Sequence, residues 1–164
     1  MNKNLPLPDA AAEQSSLALQ QLIANEIQCH SNWISFHDYM QLALFAPNLG
    51  YYTGGSHKIG SAGDFVTAPS LTPLFGLTLA RQIEPLLKQT AGNVYEFGAG
   101  TGELAVSLLA GLAPDALQHY YIMDVSPELK QRQLDLIREQ QPQHADKVVF
   151  LDSLPSEFDG VIIG

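Results

Sequence analysis

Acidic residues and glycines stand close together in one stretch of the chain, and their types and spacing suggest a ligand site. Glu96 is followed by Gly98, Gly100 and Gly102 at every second position, and Glu103 comes directly after the last glycine. Glycines let the backbone approach a ligand closely, and a helix that starts after them offers free N–H groups. Two carboxylates beside such a turn repel a pyrophosphate and attract a cation. The stretch therefore favours a cationic ligand over a phosphorylated one.

A dinucleotide-binding loop is the main alternative, because it uses a similar strand, glycine turn and helix. Its pattern is G-x-G-x-x-G, and the position of the third glycine in that pattern is occupied here by Glu103. The match to that fingerprint therefore fails. A nicotinamide-dependent oxidoreductase stays open as an alternative function, and so does a non-catalytic binding module that keeps the fold and works through a partner.

The spacing E-x-G-x-G-x-G resembles motif I of the Rossmann-like S-adenosylmethionine-dependent methyltransferases. S-adenosylmethionine carries a sulfonium and an amino group and has no phosphate, which agrees with the acidic turn. The resemblance implies that Glu96, Gly98, Gly100 and Gly102 contact this cofactor, with Glu96 near its methionine end. For Glu103 we favour a simpler role, as a first-turn charge that stabilises the helix dipole.

Two further acids follow predicted strands. Asp124 ends the apolar stretch 120–123, at the edge where open α/β sheets place ligand contacts, and it can accept hydrogen bonds from both hydroxyls of a ribose. Ser126 and Pro127 already provide the start of the next helix, so we predict ribose binding by Asp124 rather than a turn or capping role. Asp152 ends the next strand, where related methyltransferases often contact the adenine amino group. Simple turn chemistry explains Asp152 equally well.

A second motif lies in a glycine-rich stretch that has no periodicity. Residues 63–69 read Gly-Asp-Phe-Val-Thr-Ala-Pro, and Phe75-Gly76 follows shortly after. This combination resembles the MidA family, whose mitochondrial members are protein arginine methyltransferases that assist assembly of respiratory complex I. One difference is Ser70, which stands where that family usually has an acid.

The resemblance implies that the glycine-rich stretch forms a lid over cofactor or substrate. Gly63, Asp64 and Thr67 are then candidate cofactor contacts. A long loop within a compact domain is usually functional or disordered, which is compatible with a lid. The alternative is a plain turn in which Asp64 and Thr67 hydrogen-bond their own backbone.

The resemblance to the MidA family extends from about residue 34 to residue 164, and the family continues well beyond that length. It implies that this chain is the cofactor-binding portion of an S-adenosylmethionine-dependent methyltransferase, acting on a protein arginine when complete. The residues that would hold a methyl acceptor fall mostly in the remaining half. No catalytic residue is therefore assigned.

The elements that would position these residues are those of an α/β, Rossmann-like fold preceded by N-terminal helices. Helices are predicted from Ser16 to about His30, from Ser35 to before Pro47, and from Thr72 with a kink or break at Pro85. Right-handed crossovers give parallel strands the order third, second, first, fourth. The strands are expected near 93–97, 120–124, 148–151 and 160–163. Residues 1–92 would form the N-terminal helices and the glycine-rich loop, and residues 93–164 the first half of the cofactor domain, truncated after its fourth strand.

Composition argues against several kinds of partner. Seventeen acidic residues against eight basic ones give a formal charge of −9, and no basic cluster is present, which disfavours nucleic acid and anionic membranes. A single cysteine excludes an internal disulfide framework, and no clustered His/Cys motif indicates a metal site. With no targeting segment visible, a bacterial-type cytoplasm is the expected location.

The last predicted strand suggests that the chain associates with itself. Val161, Ile162 and Ile163 show no alternation of polar and apolar residues, which is typical of a parallel strand covered on both faces. An uncovered edge beside such residues tends to pair with another chain. We predict a homodimer through the 160–163 region, or a swapped segment, unless the N-terminal helices cover this edge.

Overall fold

The computed structural model describes residues 8–54 and 66–164 of the chain. The chain divides into two compact units, residues 1–56 and 57–164, so the boundary falls within the glycine-rich stretch. Each unit has its own internal contacts.

The first unit contains two helices, α1 (Ala10–Cys29) and α2 (Phe36–Phe45). The side chain of Asp9 accepts a hydrogen bond of 2.8 Å from the amide of Ala12, so α1 begins six residues earlier than Ser16. The predicted start at Ser16 was therefore too late. Ser35 caps α2 as predicted. Trp33, the single tryptophan of the chain, lies between the two helices and is 71% exposed.

The second unit is an α/β layer with four parallel strands in the order β3-β2-β1-β4, which confirms the predicted order. This order follows from right-handed crossovers that first wind outward from β1 and then return to its other side. In chain order the elements are α3 (Ala68–Leu71), α4 (Leu74–Leu87), β1 (Asn93–Phe97), α5 (Glu103–Gly111), β2 (His119–Met123), α6 (Pro127–Gln140), a 3-10 helix (Pro142–Lys147), β3 (Val148–Leu151) and β4 (Gly160–Ile163).

Helix α4 belongs to the second unit because it packs tightly against α5. A Cβ atom at Gly76 would overlap the Ser107 side chain, so only glycine allows this approach. The predicted domain boundary at residue 92 consequently lies inside the second unit. The expected break at Pro85 was wrong: α4 continues to Leu87, and the amide of Lys88 still reaches the carbonyl of Glu84 at 3.3 Å. Pro85 is close enough to the helix end for few intrahelical hydrogen bonds to be lost.

The helices of the second unit cover one face of the sheet, where Val94, Tyr120 and Ile122 are fully buried. The pleat directs the intervening side chains to the opposite face. On that face Tyr95 and Tyr121 stack at 4.9 Å between ring centroids.

Strand β4 does not match the expectation of cover on both faces within residues 66–164. Ile162 lies opposite Tyr95 in the strand register and is 55% exposed. Its neighbours Val161 and Ile163 pack against the core on the helix side. The unbroken apolar sequence is therefore buried on one face only.

None of the helices in the described parts of the chain is long and apolar enough to cross a membrane.

Candidate functional site

The glycine turn joins β1 to α5 with a backbone that few other residues could adopt. Gly98, Gly100 and Gly102 have φ angles of +68°, +57° and +96°, in the left-handed region that favours glycine. The amide of Gly98 donates to the carbonyl of Met123 at 2.9 Å, which fastens the turn to the end of β2. A Cβ atom at Gly98 would meet nothing within 4 Å, so this part of the turn faces open space.

Glu96 lies in β1 on the helix-covered face, where only 3% of it is exposed. Its carboxylate accepts a hydrogen bond of 2.8 Å from the hydroxyl of Tyr120. Burial raises the pKa of Glu96 to about 7, since the Tyr120 hydrogen bond opposes this effect only partly and the charge of Asp124 adds to it. Burial, and then the charge of Glu96, raise the pKa of Tyr120 well above its usual range. Glu96 is thus a carboxyl group that titrates near neutral pH.

A cavity of about 280 Å³ opens beside the glycine turn, and we call it the acidic cavity. Four of the predicted cofactor contacts line it: Thr67, Glu96, Gly98 and Gly100. Glu103 adds a second carboxylate, which accepts a hydrogen bond from the Thr101 hydroxyl. Within residues 8–54 and 66–164, none of the residues that line it is basic. The full lining is Thr67, Pro69, Phe75, Glu96, Gly98, Ala99, Gly100, Thr101, Glu103, Leu104 and Gly164.

The TAP end of the second motif forms one wall of the acidic cavity. Thr67 precedes α3, and its amide donates to the Ser70 hydroxyl at 3.1 Å, while that hydroxyl donates to the Thr67 carbonyl at 2.8 Å. An acid at the third helical position commonly bonds the capping residue's amide in the same way. Ser70 can therefore replace the acid usual in the MidA family without loss of this bond. Gly63 and Asp64 lie outside the described residues.

Asp124 follows β2 and is held by two protein donors. Its Oδ1 accepts from the amide of Ser126 at 3.0 Å, and its Oδ2 accepts from Nε2 of Gln133 at 2.9 Å. The same nitrogen of Gln133 donates to the carbonyl of Gly100 at 2.8 Å. Asp124 does not line the acidic cavity, but Gln133 connects it directly to the glycine turn.

Gln133 was not among the site residues predicted from the sequence, although the residue pattern of α6 could have indicated it. Leu129, Gln133 and Ile137 follow each other at intervals of four, so a polar residue occupies the apolar stripe of α6. Gln133 is fully buried. A buried polar residue in such a stripe needs hydrogen-bond partners, and here these are Gly100 and Asp124.

Gly102 serves helix packing rather than the wall of the acidic cavity. A Cβ atom at this position would lie 3.3 Å from the Cα of Gln133. Together with the φ of +96°, this close approach requires glycine. Gly102 therefore allows α6 to lie directly against the glycine turn.

Asp152 directly follows β3, whose last residue Leu151 pairs with Met123 before Asp124, and it does not line the acidic cavity. Its side chain is 94% exposed and accepts a hydrogen bond of 2.8 Å from Nζ of Lys130 on α6. That interaction lowers the pKa of Asp152. The predicted adenine contact stays a prediction. Within residues 8–54 and 66–164, no group of three or more His, Cys, Asp or Glu side chains is arranged to hold a metal ion.

The parallel sheet of order β3-β2-β1-β4, the acidic glycine turn and the acid after β2 define a Rossmann-like domain of the methyltransferase class. The chain belongs to the family described as "Putative S-adenosyl-L-methionine-dependent methyltransferase", whose model matches residues 78–164. This membership confirms the predicted resemblance to MidA-like proteins.

Two curated relatives carry the name protein arginine methyltransferase NDUFAF7, mitochondrial, or its homolog. The Danio rerio protein is 32% identical over 123 residues, which cover 69% of this chain and 29% of that protein. The Caenorhabditis elegans homolog is 30% identical over 141 residues, covering 82% of this chain and 32% of that protein. The chain thus spans about a third of the length of these relatives.

Two solved structures of COG1565 superfamily proteins from Burkholderia thailandensis share this fold. One, bound to S-adenosyl-homocysteine, superposes with a TM-score of 0.87 at 44% identity, covering 97% of this chain and 43% of that one. The other is a native structure with a TM-score of 0.80 at 43% identity, covering 97% and 41%.

Proposed function

We propose that this chain is the S-adenosylmethionine-binding portion of a protein arginine methyltransferase. The observation that carries the proposal is the acidic cavity, in which Glu96 and Glu103 stand beside the glycine turn and no described lining residue is basic. Such a site favours a cationic ligand and opposes a pyrophosphate. This preference distinguishes S-adenosylmethionine from a nicotinamide dinucleotide.

The residues present fit the chemistry of S-adenosylmethionine. The open space at Gly98 leaves room for a ligand against bare backbone, and Glu96 and Glu103 would face its cationic methionine end. Asp124 would accept the ribose hydroxyls, since each carboxylate oxygen has a lone pair beyond the one used by its protein donor. When bound, the cofactor supplies a methyl group on a sulfonium, ready for displacement. The role of this chain is to position the cofactor and exclude water from it.

The acceptor is proposed from the relatives, two of which are named protein arginine methyltransferases. The chain spans less than half of the solved relatives, so the acceptor site and the catalytic residues are not assigned to it. A bacterial-type cytoplasm remains our proposal for the location.

Titration calorimetry with the 164-residue chain tests the proposed cofactor. We expect saturable binding of S-adenosylhomocysteine and no binding of NADH, because NADH brings a pyrophosphate to two carboxylates. Binding of NADH without binding of S-adenosylhomocysteine would favour an oxidoreductase instead. Methylation of an arginine peptide by this chain would exclude a non-catalytic module.

We also propose that the chain self-associates through β4. Among the described residues this strand pairs with β1 alone, and its residue Ile162 is 55% exposed. Light scattering across the micromolar range should show dimers, and Ile162→Lys should reduce them, because a charge at an edge strand disfavours pairing. The control is Asp135→Lys, which places a lysine on the exposed side of α6. A substitution at Lys147 would not serve, because Lys147 donates to two backbone carbonyls. A wild-type monomer with slow hydrogen exchange at residues 161–163 contradicts the proposal.

A further inference from the structure

We propose that Gln133 is a positioning residue for cofactor binding, which holds the Asp124 carboxylate in the orientation that accepts a ribose. The inference rests on the proposed function, because it assumes that Asp124 meets the ribose of S-adenosylmethionine. It assigns a role to a residue of α6 that lies behind the ligand-facing surface.

The hydrogen bonds of Gln133 tie together the two parts of the site that must act on one ligand. Nε2 has two hydrogens, and both are used: one bonds the Gly100 carbonyl at 2.8 Å, the other Oδ2 of Asp124 at 2.9 Å. The glycine turn and the acid after β2 are thereby held at a fixed separation by a single nitrogen atom.

The Asp124 carboxylate is fixed at both of its oxygens. Ser126 donates to Oδ1 at 3.0 Å through its backbone amide, and Gln133 donates to Oδ2. Rotation of the carboxylate would break at least one of these bonds. Because each oxygen keeps a free lone pair, the group can accept two ligand hydroxyls without turning. Gln133 thus supplies the second of two restraints, and it is the one made by a side chain.

Packing alone does not account for an amide at this position. Oε1 of Gln133 is buried and has no hydrogen-bond partner among the described residues. A buried polar atom without a partner disfavours the folded state, and an apolar side chain of equal length would avoid that penalty. What an apolar side chain could not provide is the donor to Gly100 and Asp124.

The backbone of Gln133 lies directly against the glycine turn, which brings its side chain within reach of both acceptors. Gly102 allows this approach, because a Cβ at position 102 would stand 3.3 Å from the Cα of Gln133.

The test uses the wild-type chain, Gln133→Met and the matched control Gln131→Met. Gln131 is exposed on the same helix and its side chain donates to Asp135. Dissociation constants are measured for S-adenosylhomocysteine and for its analogue that lacks the ribose 2′-hydroxyl. Gln133→Met should weaken S-adenosylhomocysteine roughly tenfold, as expected for loss of a well-oriented charged hydrogen bond, and should change the analogue less than about threefold. The preference for the ribose hydroxyl then shrinks, while Gln131→Met leaves both constants unchanged.

A purely structural role predicts a different pattern. If Gln133→Met weakens both ligands equally, or retains the wild-type preference for the 2′-hydroxyl, the positioning role is overturned. Gln133→Leu lacks the amide and suits the apolar stripe that Leu129 and Ile137 form on α6, so it should lose the same preference and covers the case in which the methionine variant fails to fold. A wild-type chain that binds neither ligand overturns the proposed function and this inference with it.

Discussion

The wild-type chain is expected to become less stable as the pH rises from 4.5 to 7, and the Glu96→Gln variant is expected to keep its stability over this range. Burial raises the pKa of Glu96 from the ordinary value of 4.5 to about 7 in the folded chain. Between these values the unfolded chain has released the proton and the folded chain still holds it. The free energy of unfolding therefore falls with rising pH across this window and stays lower above it. At about 1.4 kcal/mol per pKa unit, the loss is roughly 3 kcal/mol.

Glutamine has the same size as glutamate, carries no charge at any pH, and can still accept the hydrogen bond from Tyr120. Urea titrations at pH 4.5 and at pH 8 should show the variant gaining roughly 3 kcal/mol relative to wild type between the two conditions. Glu103→Gln makes the same change in net charge in the same cavity but leaves the buried carboxylate in place. Parallel stability profiles for wild type and Glu96→Gln would show that Glu96 titrates normally, contrary to this account.

Asp124→Ala should weaken the binding of S-adenosylhomocysteine by about 1–3 kcal/mol, or roughly 5- to 150-fold. The change removes both acceptors proposed for the ribose hydroxyls. It also leaves the amide of Ser126 and Nε2 of Gln133 without the acceptor they share. Because these donors would have to find other partners, the remaining site should be less ordered as well as less complementary.

Calorimetric titration measures this loss, and Asp135→Ala provides a matched control. Asp135 is an exposed aspartate on α6 that accepts a hydrogen bond from Gln131, so its removal changes the net charge equally without touching the site. Unchanged affinity in Asp124→Ala would make Asp124 a turn residue. A large loss in both variants would point to long-range charge rather than to a ribose contact.

The parts of the fold that follow from local sequence were predictable. The glycines, the apolar runs and the helix caps at Ser35 and Ser126 each leave a short pattern, and the handedness of crossovers then fixes the strand order. Glu96 and Asp124 were found because they stand at or near strand ends. Such positions carry ligand contacts in α/β sheets irrespective of the rest of the chain.

What could not be predicted depends on contacts between distant residues. Gln133 is buried only because Gly102, 31 positions earlier, lets α6 approach the turn. Asp152 forms an ion pair with Lys130 of α6. No sequence pattern around Asp152 indicates this contact. The start of α1 was missed for a different reason: its first turns are alanine and polar residues without a stripe, and a single capping bond from Asp9 decides the boundary.

The position of Trp33 determines which optical signals can report on this molecule. The single indole of the chain lies in the first unit, between α1 and α2, whereas every described residue of the proposed cofactor site lies in the second. Tryptophan emission therefore reports on the surroundings of a side chain that the first unit supplies. A change in indole emission on addition of S-adenosylhomocysteine, after correction for absorption by the ligand, would show that these surroundings depend on the ligand.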